Sequence, residues 1–208
     1  GSGKSTIGDL VAQSLYKQPY KICRRYEYNF RILPELKQLK GLFARLLGRE
    51  VKQAAVIDPG TKGSGMNEDH SALKGMVYVT YYALDYILGR LPLFKLRGQG
   101  ALLMFARFFH DYYYQRGYGK VPRWYLRALE ALVPKPDLIL YLDRDADEIY
   151  RGKPELDVDE IRRQQKVIKE VVARRPHAHV IDASGGIDAT VEAVRKMVIA
   201  MQHSRWGV

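Results

Sequence analysis

The chain has 208 residues, of which 47% are hydrophobic and 27% are charged, and its formal net charge is +11. This length and apolar content suffice for one α/β domain with a large core. No membrane span is predicted, because the sequence has no run of about 18 apolar residues. The charge favours anionic partners, but no helix-turn-helix, zinc-spacing or RNP motif accompanies it, so we expect neither nucleic acid nor a membrane as a partner. The single cysteine, Cys23, excludes an internal disulfide framework and favours a reducing, cytoplasmic location.

The first six residues, Gly1-Ser2-Gly3-Lys4-Ser5-Thr6, fit the second half of a P-loop, whose full form is G-x-x-x-x-G-K-[ST]. In such a loop the backbone N–H groups cradle phosphates, Lys4 would reach the β- and γ-phosphates, and the Ser5 hydroxyl would bind Mg²⁺. A helical apolar face follows directly, and the positive end of that helix would point at the same anion. We therefore expect residues 1–6 to bind ATP.

Two parts of the motif are missing: its first glycine and the apolar strand that should precede it. An expression scar would explain Gly1-Ser2, but it would not explain Gly3-Lys4-Ser5-Thr6 at the start of a helix. We expect that Gly1 falls inside the motif and that the first, central strand of the sheet lies upstream of it.

Turn residues and apolar periodicity predict the next elements. We expect a short strand over 20–26, a helix that starts at Pro34 and ends at Gly48, and a loop over 52–70. A long helix over about 71–89 keeps the 3.6-residue period.

The helix over 71–89 is rich in tyrosine and contains Asp85. Core packing with a wet rim is the simpler explanation of these tyrosines. The functional alternative is one wall of an acceptor pocket, where tyrosines such as Tyr81 could stack on a base. We name Tyr81 and Asp85 as candidate substrate-binding residues.

Three short apolar runs in the second half of the chain are typical of buried parallel strands: 101–105, 137–143 and 179–182. Helices are predicted from Pro122, over about 157–175 and from Ile187. Because helices alternate with strands, the fold class is α/β with a parallel sheet, in a single domain over residues 1–208. Ligands bind beyond the carboxyl ends of such strands. We therefore expect one rim to hold the P-loop, Arg107, Asp143 and the basic turn 151–155.

Four segments, in this order, resemble the thymidylate kinase-like branch of the P-loop nucleoside monophosphate kinases. Gly1–Thr6 matches the phosphate loop, and Ala101–Asp111 resembles the family's strand followed by Asp-Arg-Tyr/Phe. Pro134–Asp143 resembles its P-x-P-D-L strand, and Arg151–Glu155 resembles its arginine-bearing lid. The resemblance implies a three-layer α/β/α P-loop NTPase fold with a short lid over about 151–157. It also implies ATP, Mg²⁺, a nucleoside monophosphate acceptor with dTMP as the leading guess, and a possible homodimer.

Phosphoryl transfer depends on positioning and charge neutralisation, so the predicted catalytic residues are Lys4, Arg107 and Arg151. A guanidinium binds phosphate bidentately, which makes Arg107 the best clamp for the acceptor phosphate; alternatively it is a surface arginine at a strand end. Arg151 and Lys153 would close as a lid over the phosphates, or belong to a solvated charge run.

Two carboxylates have open roles. Asp111 could bind a sugar or a base, or cap a helix. Asp143 could hold a Mg²⁺-bound water, as a Walker-B-like carboxylate does, or cap the helix after it.

One residue departs from the family pattern, because Ala106 stands where the family has Asp before Arg107. That Asp helps to organise the Mg²⁺–water shell and the acceptor phosphate. Its loss could lower activity, shift this role to Asp143 or mark a degenerate member. Two alternatives therefore stay open: a P-loop kinase for another small metabolite, and a nucleotide-binding module without kinase activity.

Overall fold

The computed structural model describes residues 3–16, 20, 22–34 and 70–206. Apart from Pro34 and residue 70, the predicted helix from Pro34 to Gly48 and the predicted loop over 52–70 lie outside the described residues. So do Gly1 and Ser2 of the predicted phosphate loop.

Helices and short strands alternate along the described chain. The strands are β1 (Ile22–Tyr26), β2 (Ala101–Phe105), β3 (Ile139–Asp143) and β4 (Ala178–Asp182). The helices are α1 (Lys4–Leu15), α2 (Ala72–Leu88), α3 (Arg90–Gly98), α4 (Arg123–Leu132), α5 (Ala146–Gly152), α6 (Val158–Ala173) and α7 (Ile187–Trp206). Two short 3₁₀ helices, Phe109–Tyr113 and Arg116–Tyr118, follow β2. None of the described helices has the length and apolar character needed to cross a membrane.

Helix α3 was not predicted from the sequence. It contains Pro92, which is normally a sign of a turn or a helix boundary. Pro92 is the third residue of α3, where a backbone N–H has no helical acceptor in any case, so proline is tolerated there.

Side-chain caps set the start of three helices. Ser71 accepts a hydrogen bond from the Lys74 N–H at α2, and Asp157 accepts one from the Glu160 N–H at α6. Asp145 caps α5 in the same way, and this helix continues through Arg151 to Gly152. The predicted basic turn over 151–155 is therefore wrong for its first two residues, which are helical.

The strands form two separate parallel pairs. β1 pairs with β2, with Ile22 opposite Ala101, and β3 pairs with β4, with Ile139 opposite Ala178. Parallel pairing was predicted and is confirmed. A single sheet was also predicted, whereas the described strands form two short ones.

Helices cover the strands on both faces. On one face, α1 and α7 pack against both pairs in a cluster that includes Ile7, Val11, Leu142, Ile181 and Val194. On the other face, Phe105 of β2 packs against a second cluster, built by α2, α4 and the fully buried Phe109. Burial of apolar surface on both faces is the main term that stabilises this arrangement.

Asp85 anchors the chain that follows β1. Its carboxylate is fully buried in α2 and accepts hydrogen bonds from the backbone N–H groups of Arg31 (3.1 Å), Ile32 (2.7 Å) and Leu33 (2.8 Å). Arg31 has a left-handed backbone (φ 57°), which costs roughly 1–2 kcal/mol in a residue with a Cβ. The three hydrogen bonds stabilise this strained turn.

Glu130 joins α4 to the 3₁₀ helix after β2 and to the end of α6. Its carboxylate lies 3.0 Å from His110 Nε2 and accepts hydrogen bonds from the Tyr113 hydroxyl (2.6 Å) and from Arg175 Nε (3.2 Å). Burial alone would raise the pKa of this carboxyl group, but the hydrogen bonds from His110, Tyr113 and Arg175 outweigh it and lower the pKa to about 2.

We expect Asp85→Ala to lower the free energy of unfolding by about 2–4 kcal/mol, because it leaves three backbone N–H groups without their acceptor. Asp85→Asn keeps one carbonyl oxygen and should lose less. Asp159→Asn is the matched control, since that side chain is 95% exposed and should change stability by less than about 0.5 kcal/mol. Urea denaturation measures all three, and an Asp85→Ala protein as stable as the control would refute the anchor.

The Glu130 network should make stability depend on pH in acid. The folded pKa lies below the unfolded value, so this stabilisation is complete above about pH 4.5 and is lost as the pH falls towards about 2. In Glu130→Gln that part of the pH dependence should disappear. Denaturation midpoints between pH 2 and 6 measure it, with the half-exposed Glu148→Gln as control; parallel curves for wild type and Glu130→Gln would contradict the assignment.

Candidate functional site

A cavity of about 1480 Å³ opens beside the N-terminal end of α1. Five charged side chains that line it form one group, since Lys4 interacts electrostatically with Arg107, Asp111, Lys153 and Glu155. They come from three places in the chain: the start of α1, the segment after β2 and the segment after α5. Of the predicted site residues, the structure brings together Lys4, Arg107, Asp111 and Lys153.

Gly3 sets the direction in which the chain enters α1. Its backbone is left-handed (φ 69°, ψ 8°), a conformation that glycine adopts at little cost. The first turn of any helix has N–H groups without helical acceptors and carries a partial positive charge. In the described part of the chain no side chain caps this end of α1, so the helix terminus presents those groups next to Lys4, as an anion site requires.

Lys4 lines the cavity, and its side chain is partly desolvated there although solvent still reaches the residue. The pKa of Lys4 is below its ordinary value, chiefly because of this desolvation and then because of repulsion by Arg107 and Lys153. Asp111 and Glu155 oppose that shift. An ammonium group in such surroundings is stabilised by any anion that enters the cavity.

Arg107 follows β2 directly and is held on two sides. Its guanidinium lies over the ring of Tyr28, 5.5 Å from the ring centroid, and its Nη1 is 4.0 Å from Asp111 Oδ2. A cation over an aromatic face and near a carboxylate is restricted in orientation. The fold therefore restricts the orientation of the guanidinium at the cavity that Arg107 lines.

Asp111 lies in the 3₁₀ helix after β2, not at the start of an α-helix. Burial raises the pKa of its carboxyl group, while a hydrogen bond from Tyr114 and the charges of Arg107 and Lys4 oppose the rise. Its buried Oδ2 atom accepts no hydrogen bond from the described residues. Buried polar atoms normally have hydrogen-bond partners, so this oxygen, whose neighbour is Arg107 at 4.0 Å, retains the capacity to accept a hydrogen bond from a ligand.

Lys153 and Glu155 form an ion pair of 2.8 Å at the outer edge of the cavity, and their side chains are 62% and 59% exposed. Such an exposed pair is worth little energetically, so a stronger anion can take Lys153 from Glu155 at small cost. The segment over about 151–157, which the sequence predicts to be a lid, thus places Lys153 at the cavity.

Arg151 was predicted to act with Lys153, but it does not line the described cavity. It is exposed in the last turn of α5, and its Nε donates to the Asp147 carbonyl at 3.3 Å. Asp145 caps the start of α5, and the helix continues past Arg151 to Gly152. Arg151 is therefore held in a helix and not in the predicted turn.

Asp143 was predicted as a metal residue, but the structure does not bring it to the cavity of Lys4. Its carboxylate pairs with Lys169 at 2.7 Å and lines a separate small cleft beside Asp182. Lys169 thus supplies the positive charge that balances the Asp143 carboxylate.

The predicted substrate residues of α2 are also outside the cavity wall. Asp85 is buried against the 31–33 turn, and the Tyr81 hydroxyl donates to the Pro34 carbonyl. Both side chains hold the segment after β1. They therefore have a structural role, and neither faces an acceptor pocket in the described residues.

Ser5 and Thr6 lie exposed in the first turn of α1. Within the described part of the chain, no group of three or more His, Cys, Asp or Glu side chains could hold a metal ion alone. Mg²⁺ that arrives with a nucleotide needs only one or two protein ligands, because phosphates and water supply the others. The Ser5 hydroxyl and Asp111 Oδ2, which accepts no hydrogen bond from the described residues but lies 4.0 Å from Arg107 Nη1, are oxygen donors of the kind that Mg²⁺ takes, so the residues present fit such an ion.

Sequence reasoning missed two side chains that shape the site. Tyr28 supports Arg107 from a distant part of the chain, and no local signal indicates that contact. Tyr114 hydrogen-bonds Asp111 from three residues away, a spacing that a predicted 3₁₀ turn would have revealed.

No protein-family model matches the chain, and no curated protein matches it either. Solved structures do match, among them a thymidylate kinase from Ehrlichia chaffeensis with a TM-score of 0.55 and 18% sequence identity. That likeness covers 95% of this chain and 93% of the other. At so low an identity it concerns the fold, and the chain has a thymidylate kinase-like fold, as the sequence resemblance implied.

Proposed function

We propose that this protein is a P-loop phosphotransferase that moves a phosphoryl group from ATP to a nucleoside monophosphate, with dTMP as the leading acceptor. The observation that carries the proposal is the convergence of Lys4, Arg107 and Lys153 on one cavity at the N-terminal end of α1. The thymidylate kinase-like fold supports it. The proposal includes a single three-layer α/β/α domain, a cytoplasmic location and a possible homodimer.

Each cation has a role that its position supports. Lys4 and the first turn of α1 would bind the β- and γ-phosphates of ATP, because both present positive charge to the same space. Arg107, already oriented by Tyr28, would grip the acceptor phosphate with two parallel hydrogen bonds. Lys153 would leave Glu155 and close over the transferring group.

Asp111 would balance charge before the nucleotides arrive. Its carboxylate offsets part of the repulsion between Lys4 and Arg107. Bound phosphates would supply more negative charge than one carboxylate, so they would stabilise the protonated form of Lys4. Mg²⁺ would be held by the nucleotide phosphates, with the Ser5 hydroxyl as its predicted protein ligand, and would neutralise phosphate charge.

Ala106 favours a second candidate, a nucleotide-binding module that does not transfer phosphate. Its methyl group offers no carboxylate next to Arg107 to organise a metal-bound water or an acceptor. In that case Lys4 would still bind a nucleotide, whereas added acceptor would not increase turnover. A kinase for another small metabolite would also keep the Lys4 half of the site, and it would need a different acceptor.

We expect the full-length protein to release ADP from ATP·Mg²⁺ when one nucleoside monophosphate is added, and Lys4→Ala to lower this rate on the order of 10²–10³-fold. The acceptors are dTMP, dUMP, UMP, CMP, AMP and GMP. Lys196→Ala, at an exposed lysine of α7, is the control for loss of one positive charge. ATP binding without acceptor-stimulated release would reject the kinase and support the binding module.

Arg107→Lys should separate acceptor binding from ATP binding. A lysine keeps the charge but loses the planar fork and its contact with Tyr28, so kcat/KM for the acceptor should fall about 10²-fold. The KM for ATP should change less than about threefold. Initial rates with each substrate varied measure both, and Arg195→Lys at the α7 pair with Glu192 is the matched control. Equal losses for both substrates would remove Arg107 from the acceptor site.

A further inference from the structure

Helix α6 contacts both sides of the candidate site. It begins directly after residues 153–157, the segment that carries Lys153 and Glu155. It also packs against the 3₁₀ helix Phe109–Tyr113, which lies just after Arg107 in the chain. A residue that fixes α6 to this 3₁₀ helix therefore helps to set the position of Lys153 relative to Arg107.

Arg163 of α6 makes this connection from outside the cavity lining. Its Nη2 donates to the backbone carbonyl of Tyr114, the residue after the 3₁₀ helix, at 2.8 Å. Its Nε and Nη2 also donate to the two oxygens of the Glu160 carboxylate, each at 2.7 Å. A guanidinium that binds a carboxylate through two nitrogens is held in a fixed orientation. Glu160, a neighbour on the same helix, therefore aims Arg163 at the Tyr114 carbonyl.

The pair of Arg163 and Glu160 differs from an ordinary surface ion pair. The Glu160 side chain is only 11% exposed, and the Gln164 side chain donates a further hydrogen bond to it at 2.8 Å. The hydrogen bonds from Arg163 lower the pKa of the Glu160 carboxyl group, although partial burial opposes that shift. Bidentate geometry and low exposure are the conditions under which such a pair contributes to stability.

Contacts continue from Glu160 to residues 153–157. The Glu160 backbone N–H donates to the Asp157 carboxylate at 2.7 Å, and this bond caps α6. Asp157 is the last residue of that segment, and three residues separate it from Lys153. So short a link limits where Lys153 can lie once the first turn of α6 is fixed.

Contacts also continue from Tyr114 to Arg107. The Tyr114 hydroxyl donates to the carboxylate of Asp111, and Asp111 Oδ2 lies 4.0 Å from Arg107 Nη1. The backbone N–H groups of Tyr114 and Gln115 both donate to the Asp111 carbonyl, at 3.2 and 3.1 Å. A shift of Tyr114 would therefore move Asp111, and with it the negative charge beside Arg107.

The opposite end of α6 has its own attachment to the 3₁₀ helix. Arg175, just beyond α6, donates to Glu130, which also accepts a hydrogen bond from the Tyr113 hydroxyl. The Arg175 guanidinium lies over the Tyr113 ring, 5.7 Å from its centroid. Loss of Arg163 would leave α6 attached at this far end. We therefore expect the fold to persist while the end of α6 next to Lys153 gains freedom.

We propose that Arg163 is a positioning residue for phosphoryl transfer, an inference that rests on the proposed function. It fixes the 3₁₀ helix after β2 to the first two turns of α6, so that Arg107 and Lys153 face the same phosphate group. Arg163 acts through Glu160 on one side and through Tyr114 on the other. A displacement of about 1 Å at a positioned group, caused from outside the site, can lower a rate about 10²-fold.

Initial rates of acceptor-dependent ADP release from ATP·Mg²⁺ by the full-length protein test this role. Arg163→Met removes every hydrogen bond of the guanidinium and keeps an unbranched side chain. Its kcat should fall about 10- to 10²-fold, whereas its KM for ATP should change less than about threefold, because Lys4 and the first turn of α1 are unaffected. Arg163→Lys keeps one donor for the Tyr114 carbonyl, so its kcat should fall less than about tenfold.

Arg162→Met is the matched control. Arg162 precedes Arg163 on the same helix, but its guanidinium pairs with Asp147 at 3.0 Å and with Asp159 at 3.6 Å, and its side chain is 58% exposed. Neither partner belongs to the 3₁₀ helix or to residues 153–157. Exposed pairs of this kind are worth little, so we expect kcat and KM to stay within about twofold of the wild-type values.

Amide hydrogen exchange tests the attachment without any substrate. In Arg163→Met the amides of Tyr114 and Gln115 should exchange at least about tenfold faster than in the wild type. The amides of α4, which Glu130 joins to the same 3₁₀ helix, should keep their wild-type rates. If the wild type releases no ADP with any acceptor, the proposed function fails, and these exchange rates alone decide whether Arg163 fixes the segment.

Three results would overturn the proposal. A wild-type kcat in Arg163→Met, or wild-type exchange at Tyr114 and Gln115, would mean that Arg163 is only a surface arginine. Faster exchange throughout α4 together with a loss of activity would mean that Arg163 serves overall stability. A rise in the KM for ATP as large as the fall in kcat would place the effect at the ATP site and not between Lys153 and Arg107.

Discussion

Repulsion between Lys4 and Arg107 is the constraint on which the site depends. The fold holds both cations on one cavity, and Asp111 is the buried carboxylate that offsets part of their repulsion. One carboxylate cannot neutralise two cations, and Lys153 adds a third positive charge whose partner, Glu155, is exposed. This part of the cavity therefore keeps an excess of positive charge in partly desolvated surroundings. An anionic group would offset that excess, so the local electrostatics favour an anionic ligand.

Residues outside the cavity keep these charges in position. Glu130 fixes the 3₁₀ helix that carries Asp111, through its bonds with His110, Tyr113 and Arg175. Asp85 fixes the turn after β1, and Tyr28, which supports Arg107, lies between that turn and the strand. Glu130 and Asp85 thus have structural roles, whereas Asp111 is the carboxylate at the site. A structural carboxylate and a functional one look alike in the sequence, which is why Asp85 was predicted to bind substrate.

The helices and strands were largely predictable because their signals are local. The apolar runs of β2 and β3 and the 3.6-residue period of α2 follow directly from the sequence, and so does the positive start of α1. Contacts between distant residues were not predictable in the same way. Asp143 has the sequence context of a metal ligand, yet Lys169, on a helix that packs beside β3, pairs with it. Arg151 has the context of a lid residue, yet a cap six residues earlier places it in a helix.

The packing of α1 joins the fold to the site. The N-terminal end of α1 can serve phosphate only if Gly3 and Lys4 are held at the edge where β2 ends. In the described residues, the apolar face of α1 packs against α7 and against both strand pairs. Asp9 of α1 also pairs with Arg25 of β1 at 2.6 Å. The contacts that bury the core therefore also set the position of Lys4 relative to Arg107.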